Sequence, residues 1–192
     1  MNRKLAIVIL FMLVSFSVRA DDDGYFVAYE TLEMTMNKFQ YLAGEVGRKY
    51  EPNKQVRLTV AEVNLSERHL SSSWEAYAVD GDNVEGYLRG YELNHDWFFH
   101  GGWYYSANIG YFHDHYEHRI TKEEIDNKTL TVGSGIGYTT DDLFGVNGLY
   151  LNFSNPIRYY FNGIDETKLG NTTIREHRIV NHMWLFVGYK FQ

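Results

Sequence analysis

The chain alternates apolar and polar residues over most of its length, and this period of two predicts β-strands. The pattern is clearest in NHMWLFVGYKFQ, the last segment of the sequence. There Leu185, Val187, Tyr189 and Phe191 occupy every second position, whereas Lys190 falls on the opposite face. Such a segment forms an extended strand with one apolar face. What that face contacts is the first question that the sequence poses.

Eight segments carry the alternation well enough to be predicted as strands. They span residues 24–32, 38–49, 55–65, 83–94, 102–116, 129–139, 146–160 and 179–192. In the third segment, Val56 and Arg57 face opposite ways. The fourth segment cannot be oriented, because Arg89 shares a face with two tyrosines. The polar runs 120–126 and 164–169 are predicted to be loops, and the pattern predicts no long amphipathic helix.

The first twenty residues follow a different pattern. A basic start, an apolar run over residues 5–14 and the small residue Ala20 describe a secretory signal peptide. A membrane-spanning helix would need roughly 20 apolar residues, which this run does not reach. We therefore expect cleavage after Ala20. The chain would then consist of a signal peptide, residues 1–20, and one domain, residues 21–192.

Charge and composition narrow the class of protein. Removal of the three basic residues in the signal peptide leaves 15 basic residues against 25 acidic ones, a net charge of −10. This acidic balance argues against a nucleic-acid partner. Aromatic residues make up 17% of the chain, which suits pleated, half-buried strands. Because the chain has no cysteine, neither a lipoprotein anchor nor a disulfide framework is available to it.

Short turns and long loops alternate between the predicted strands. The turns after the second, fourth and sixth strands are short, and the first of them contains Pro52 and Asn53, which suit a tight turn. The loops 66–82, 117–128 and 161–178 are longer and rich in charged residues, serine, asparagine and glycine. Barrels that cross a membrane have short turns at one end and longer loops at the other.

The strand number, the loop alternation and the final strand resemble a known family over the whole of residues 21–192. They are similar to the small eight-stranded outer-membrane β-barrels of Gram-negative bacteria, the group that includes the OmpA transmembrane domain, OmpX and OmpW. The resemblance implies an all-β fold, an eight-stranded antiparallel up-and-down transmembrane β-barrel, located in the outer membrane. It implies contact with outer-membrane lipid and lipopolysaccharide, and recognition by the barrel-assembly machinery. The predicted assembly-signal residues are Leu185, Val187, Tyr189 and Phe191, followed by Gln192 where the family ends on the aromatic.

Membrane physics predicts where the charged side chains lie. In hydrocarbon every backbone polar group must be paired within the protein, so strands cross only as a closed barrel. The apolar face then contacts lipid, and a lipid-facing arginine or lysine at the midplane costs roughly 2–4 kcal/mol. Side chains fill the interior of an eight-stranded barrel, so a diffusion pore is not expected. The predicted interior charge network consists of Glu45, Arg57, Arg89 and Lys190.

Aromatic residues gather near the predicted turns, where a membrane barrel has its interfacial girdles. Tyr116, Tyr159 and Phe161 are predicted at the outer rim. Pro156 lacks a ladder donor, so it is predicted at or above that rim. The predicted girdle at the short turns consists of Trp97, Phe98, Phe99, Trp103 and Phe144.

Candidate chemistry is sparse. In HDHYEHR, His113 and His115 share a strand face and His118 follows. A His-x-His pair can bind zinc or copper, but two ligands do not make a site, so these three are weak candidates and we predict no metal or cofactor. His69 and the serines at 71–73 offer no arrangement of the lipid A deacylase type.

Three functions therefore remain. The preferred one is a non-enzymatic outer-membrane barrel whose loops bind an unidentified surface ligand, in adhesion or in host or envelope interaction, or which supports envelope integrity. The second is a lipid A-modifying enzyme of the deacylase or acyltransferase type. The third is an OmpW-like carrier of small apolar molecules. A soluble periplasmic lipocalin-like barrel would bury its apolar face inside, which disagrees with an inward Arg57.

Overall fold

The computed structural model describes residues 24–36, 41–65, 76–79 and 83–191. The predicted signal peptide lies outside these ranges, so its cleavage stays a prediction. Among the described residues, no helix combines the length and the apolar character needed to cross a bilayer. The elements are β1 (Tyr25–Glu30), α1 (Leu32–Met36), β2 (Tyr41–Glu51), β3 (Lys54–Leu65), β4 (Ala76–Val79), β5 (Val84–His100), β6 (Trp103–His118), β7 (Glu124–Thr140), a 3-10 turn (Leu143–Gly145), β8 (Leu149–Tyr160), β9 (Thr167–Leu169), β10 (Thr172–Glu176), β11 (Ile179–Asn181) and β12 (Trp184–Phe191).

Eight strands form a closed antiparallel ring in the order β1, β2, β3, β5, β6, β7, β8 and β12. The ring closes where Tyr25 of β1 pairs with Phe191 of β12, and β7 and β8 pair through ten residues on each strand. Each of the eight predicted strands is present. The predicted fold class, an eight-stranded antiparallel up-and-down transmembrane β-barrel, is confirmed.

Side chains are distributed inside out relative to a soluble protein. Charged and polar groups such as Glu45, Arg57 and Asn152 are buried within the barrel. Large apolar groups such as Leu93 and Ile109 are exposed on its outer surface. A strand places successive side chains on opposite faces, so the period of two in the sequence becomes a charged interior and an apolar exterior. The predicted orientation of Arg57 is confirmed.

The final strand follows the predicted alternation. Trp184 and Phe186 point into the barrel and are buried, whereas Met183 and Tyr189 point outward and are exposed. Residues 179–181 and 184–191 are assigned as two strands, but both pair with β8 in one continuous register. They therefore act as one strand with a local break in hydrogen bonding.

Pro156 explains this break, and its predicted place at or above the rim is wrong. It lies within β8, opposite Gly135 of β7, and its carbonyl accepts a bond from the His182 backbone N–H at 3.2 Å. In an antiparallel ladder, a residue directs its N–H and C=O to the same neighbour. Because proline has no N–H, the return bond to residue 182 is missing, and the strand is tolerated with one half-made pair.

The strands β5, β6 and β7 are longer than predicted, so the prediction of a loop over 117–128 is wrong for most of that range. The β6–β7 ladder continues until Glu117 pairs with Glu124. The outer face of this part of the sheet is polar, and on its inner face apolar residues such as Tyr116 and Ile125 are mixed with polar ones, so a search for apolar alternation missed it. This part of the sheet extends beyond the belt of apolar side chains on the outer surface, the apolar band, which on these strands ends at Tyr91, Tyr111 and Leu130.

A second, three-stranded sheet of β4, β10 and β9 covers the end of the barrel that carries the long loops, the long-loop end. The opposite end, with the turns at 51–54, 100–103 and 140–149, is the short-turn end. Three residues of this region are buried and belong to the same apolar cluster as the interior side chains at the long-loop end of the barrel: Ile164, Leu169 and Ile174. The predicted loop over 164–169 thus contains the whole of β9, a strand of this cap sheet that is too short to show a period.

Candidate functional site

The centre of the barrel holds a buried ion-pair cluster around Arg57. Its Nε and Nη2 donate to the two carboxylate oxygens of Asp96 at 2.6 and 3.2 Å, and its Nη1 donates to Glu45 at 2.7 Å. All three side chains are buried. A two-point guanidinium–carboxylate pair fixes geometry as well as charge. The structure thus brings two of the four predicted network residues together.

Neutral groups complete the hydrogen bonding of this cluster. The Asn152 amide donates to both oxygens of Glu45, at 3.0 and 3.1 Å, and accepts from the Tyr104 hydroxyl at 2.7 Å. The Arg57 guanidinium lies 5.4 Å from the centre of the Tyr104 ring. Because charges away from water are tolerated only when paired and hydrogen-bonded, this completeness allows the cluster to fill the barrel.

A second ion pair, which the sequence analysis missed, lies closer to the long-loop end. The Arg158 Nη2 donates to Glu92 at 3.0 Å and its Nε contacts the same carboxylate, while Nη1 lies 2.8 Å from His182 Nδ1. The guanidinium is 5.1 Å from the Trp184 ring. A signal existed in the sequence: Glu92, Asn94 and Asp96 recur at period two and would have oriented the fourth strand.

The other two predicted network residues lie elsewhere, and the prediction is corrected for both. Arg89 points outward, is 42% exposed, pairs with Glu62 at 3.3 Å and lies over the Tyr87 ring. Lys190 points inward, but it lies at the short-turn end and pairs with Asp141. Arg89 faces outward because its neighbours along β5, Leu88 and Gly90, occupy the inner face. An outward arginine is tolerated here because the position lies beyond the apolar band, where water solvates the charge.

A cavity of about 280 Å³ opens at the short-turn end of the interior. Its lining includes Lys49, Lys190 and Asp141, with Phe26 and Tyr150 towards the centre. Those two rings stack at 4.6 Å. Gln55 also lines the cavity and donates to Asp96 at 2.8 Å, so the cavity ends at the buried cluster around Arg57.

Aromatic residues surround the short-turn end as predicted, with one exception. Trp97, Phe99, Trp103 and Phe144 are exposed on the outer surface, and Tyr105 and Tyr189 join them. Phe98 is the exception, since it lines the cavity and packs edge-on against Tyr104 at 5.5 Å. In a strand two of three consecutive residues share a face, so Phe98 cannot face outward together with its two neighbours.

The predicted rim aromatics at the long-loop end divide between the two faces. Tyr159 and Phe161 are exposed and pack edge-to-face at 5.4 Å. Tyr116 instead points inward, is buried, and donates to Glu176 of the cap sheet at 3.2 Å. The prediction is therefore wrong for Tyr116, whose alternation partner Phe112 is also inside.

The four predicted assembly-signal residues lie on the outer face of β12. Leu185 and Val187 are partly covered, Tyr189 is exposed, and Tyr189 packs edge-to-face on Phe191 at 5.2 Å. The strand is hydrogen-bonded on both sides, to β1 and to β8. Its recognition by an assembly factor stays a prediction.

The three candidate histidines separate. His113 and His115 point outward and both contact Asp126, whereas His118 points inward and accepts a bond from the Thr121 backbone N–H. Among the described residues, His115, Glu124 and Asp126 form a group with metal-ligand spacing. His69 and the serines at 71–73 lie outside the described residues.

Comparisons with known proteins find likeness in structure only. No family model matches the chain, and no curated protein matches it. The barrel domain of Pseudomonas aeruginosa OprF matches over 90% of this chain and 100% of that one, at 13% identity and a TM-score of 0.43. A major outer membrane protein of Thermus thermophilus matches over 88% of this chain and 99% of that one, at 14% identity and a TM-score of 0.45. Ail of Yersinia pestis matches over 88% of this chain and 97% of that one, at 11% identity and a TM-score of 0.40. Likenesses at this level carry no argument about the family, the ligand or the activity of this chain.

Proposed function

We propose that this chain is an integral outer-membrane β-barrel without enzymatic activity, which anchors a contact surface at its long-loop end. One observation carries the proposal: the apolar side chains face outward around a closed ring whose centre is charged and hydrogen-bonded. In water this distribution would expose a large apolar surface, which soluble monomers avoid. In a bilayer the same surface contacts lipid, and the closed ladder leaves no unpaired strand edge in hydrocarbon.

The packed interior favours anchoring over conduction. Arg57 on β3 joins Glu45 and Asp96 on the two neighbouring strands, and Arg158 on β8 reaches across the barrel to Glu92 on β5. A moving ion would have to break these pairs, and removing one partner of a buried pair costs about 3–5 kcal/mol. We therefore expect no steady ion conductance in planar bilayers.

The long-loop end is suited to display. The cap sheet is tied to the barrel, since Glu176 accepts bonds from Tyr116, from Asn127 at 2.9 Å and from the Ile164 backbone at 2.9 Å. Its apolar residues Leu169 and Ile174 are buried against the barrel. An ordered surface loses less conformational entropy on binding than a free loop does. Binding of a surface ligand at this end is thus the role that we propose for the protein.

Single-cysteine labelling tests the location and the orientation together. The chain has no cysteine, so Asp165→Cys at the long-loop end and Asn147→Cys at the short-turn end each introduce one exposed thiol. In intact cells we expect a membrane-impermeant maleimide to label only the first, and to label the second after permeabilisation. The reverse pattern, or release of the protein with the soluble periplasm, would overturn the proposal.

Two further measurements address function. Lipid A from cells with and without the protein should have the same mass spectrum, and a shift by one acyl chain would show an enzyme instead. A folded outer-membrane barrel should also change its gel mobility on boiling. Asp165→Cys and Asn147→Cys serve as controls for each other, since both must show this mobility shift before their labelling is compared.

A further inference from the structure

The polar extension of β6 and β7 beyond the apolar band presents two histidines and two carboxylates on one outer face. His113 and His115 are two residues apart on β6, and Glu124 and Asp126 are two residues apart on β7, so each pair shares a face. The register sets His115 directly opposite Asp126. Each strand contributes one of these pairs, and the strand pairing brings all four side chains together.

The polar atoms of this group converge. His113 Nε2 lies 2.7 Å and His115 Nδ1 lies 3.2 Å from the same oxygen of Asp126. The ligand atoms of His115, Glu124 and Asp126 all lie within 4.8 Å of one another. Zinc binds nitrogen and oxygen at about 2.0–2.2 Å in a tetrahedral arrangement, so its ligand atoms are roughly 3.3–3.6 Å apart. Only a small side-chain adjustment would close the group around an ion.

The histidine rings are held in place from the neighbouring strand. The Tyr87 ring stacks on His115 at 5.0 Å and contacts His113 edge-on at 5.6 Å. Packing of this kind reduces the rotamer freedom that a ligand would lose on binding a metal. It also distinguishes the group from a chance cluster of flexible surface carboxylates.

Both carboxylates and basic groups surround the site, and the basic residue nearest to it in the ladder is Lys128, which lies opposite His113 on β7. Glu117 pairs with Lys122 and Glu85 pairs with Arg119, so these nearby basic groups already have carboxylate partners. Glu124 and Asp126 are both exposed and can accept an ion from solvent. Mixed imidazole and carboxylate ligands suit zinc, copper and nickel, whereas calcium and magnesium prefer oxygen alone.

We propose that His115, Glu124 and Asp126 bind one divalent transition-metal ion, with zinc as the reference case, on the outer face of the β6–β7 hairpin. The site lies beyond the apolar band, and its three protein ligands leave a coordination position for water or for a group on another molecule. His113 positions Asp126 by hydrogen bonding to the oxygen that faces the site. This role is independent of whether the long-loop end also binds a surface ligand.

Metal binding by the full barrel, folded in detergent micelles and carrying no affinity tag, tests the proposal. Titration calorimetry with Zn²⁺ alone, and the visible spectrum of added Co²⁺, should show one site per chain. His115→Ala and Asp126→Asn should each weaken Zn²⁺ binding at least about tenfold. The matched control His100→Ala changes an exposed histidine at the short-turn end and should leave affinity unchanged. Equal affinity in all four proteins, or equal loss in the control, would overturn the site.

The role of His113 has its own readout. His113→Ala should weaken Zn²⁺ binding without changing the Co²⁺ spectrum, because the ligand atoms stay the same. His113→Gln should restore part of the affinity, since its amide can donate to Asp126. A Co²⁺ spectrum that changes in His113→Ala would contradict a positioning role. Heat-modifiable gel mobility establishes that each variant is folded before titration.

Discussion

Arg57 and Asp96 form a two-point ion pair across β3 and β5, with N–O distances of 2.6 and 3.2 Å, in the middle of a barrel only eight strands wide. The pair belongs to a larger cluster, because the third nitrogen of the guanidinium donates to Glu45 at 2.7 Å. One cation thus compensates two buried carboxylates. Removing it leaves both without a cationic partner, which is more costly than losing one surface pair.

Substitution of this arginine should therefore destabilise the folded barrel strongly. We expect Arg57→Met to lower the free energy of unfolding by about 3–5 kcal/mol, since it leaves uncompensated charge in the interior. Urea titration of the barrel in lipid vesicles, followed by gel mobility, measures this change. The matched control is Arg89→Met, which removes an outward arginine whose pair with Glu62 is partly exposed and worth at most about 1 kcal/mol. Equal losses in the two variants would contradict the interior network.

Glycines on the inner face of β7 provide the space that large side chains occupy. A Cβ on Gly137 would collide with the Tyr104 ring, whereas one on Gly163 in the loop would make only ordinary contact. We expect Gly137→Ala to cost about 1–3 kcal/mol through overpacking. Gly163→Ala should change stability by less than about 1 kcal/mol, because a surface substitution away from special features usually has little effect. Comparison of their urea midpoints checks the difference, and a tolerated Gly137→Ala would show that the interior is looser than the contacts indicate.

The fold was largely predictable because the lipid-facing and interior faces of a membrane barrel alternate residue by residue along each strand. Arg57 among valines and leucines, and Trp184 between Met183 and Leu185, fix inside and outside through the period of two. Interior partners were not predictable in the same way. Asp96 lies beyond the predicted end of the fourth strand, and the long loop before that strand leaves its register against β3 unspecified.

The outer histidines illustrate the same limit. HDHYEHR placed His113 and His115 on one face, but the carboxylates that they contact are on the next strand, in a stretch predicted to be a loop. The pairing depends on how far the β6–β7 ladder continues past the apolar band. Polar strands carry no apolar alternation, so the pattern that revealed the barrel could not reveal its extension.

A charge on the apolar band tests which surface faces lipid. Ile109 is 53% exposed and lies between Leu93 and Val132 on the neighbouring strands. Ile109→Arg should lower the free energy of unfolding in vesicles by roughly 2–4 kcal/mol, since the arginine of the folded barrel would lie in hydrocarbon. Ile120→Arg, in the exposed turn between β6 and β7, should fold like the wild type. A harmless Ile109→Arg would place this surface in water.

The link between Glu176 and the barrel should make the cap sheet more stable in mild acid. Burial raises the pKa of the Glu176 carboxyl above its ordinary value of 4.5, and this effect outweighs the hydrogen bonds from the Ile164 backbone, Tyr116 and Asn127, which lower it. A raised folded-state pKa means that the folded cap binds the proton more tightly than the unfolded one does. The resulting stability is complete below about pH 4.5 and is lost as the pH rises through the raised pKa.

Amide hydrogen exchange in β10, corrected for the intrinsic effect of pH, measures this stability directly. Protection of Thr173 to Glu176 should fall as the pH rises above about 4.5, the ordinary pKa of the carboxyl. In Glu176→Gln it should change little over that range, because the amide carries no titrating proton, while Glu166→Gln, an exposed change in the same loop, should behave as the wild type. Protection that rises with pH would mean that Glu176 is held as a charged acceptor by Tyr116, Asn127 and the Ile164 backbone. The cap would then be held by hydrogen bonds to a charged carboxylate.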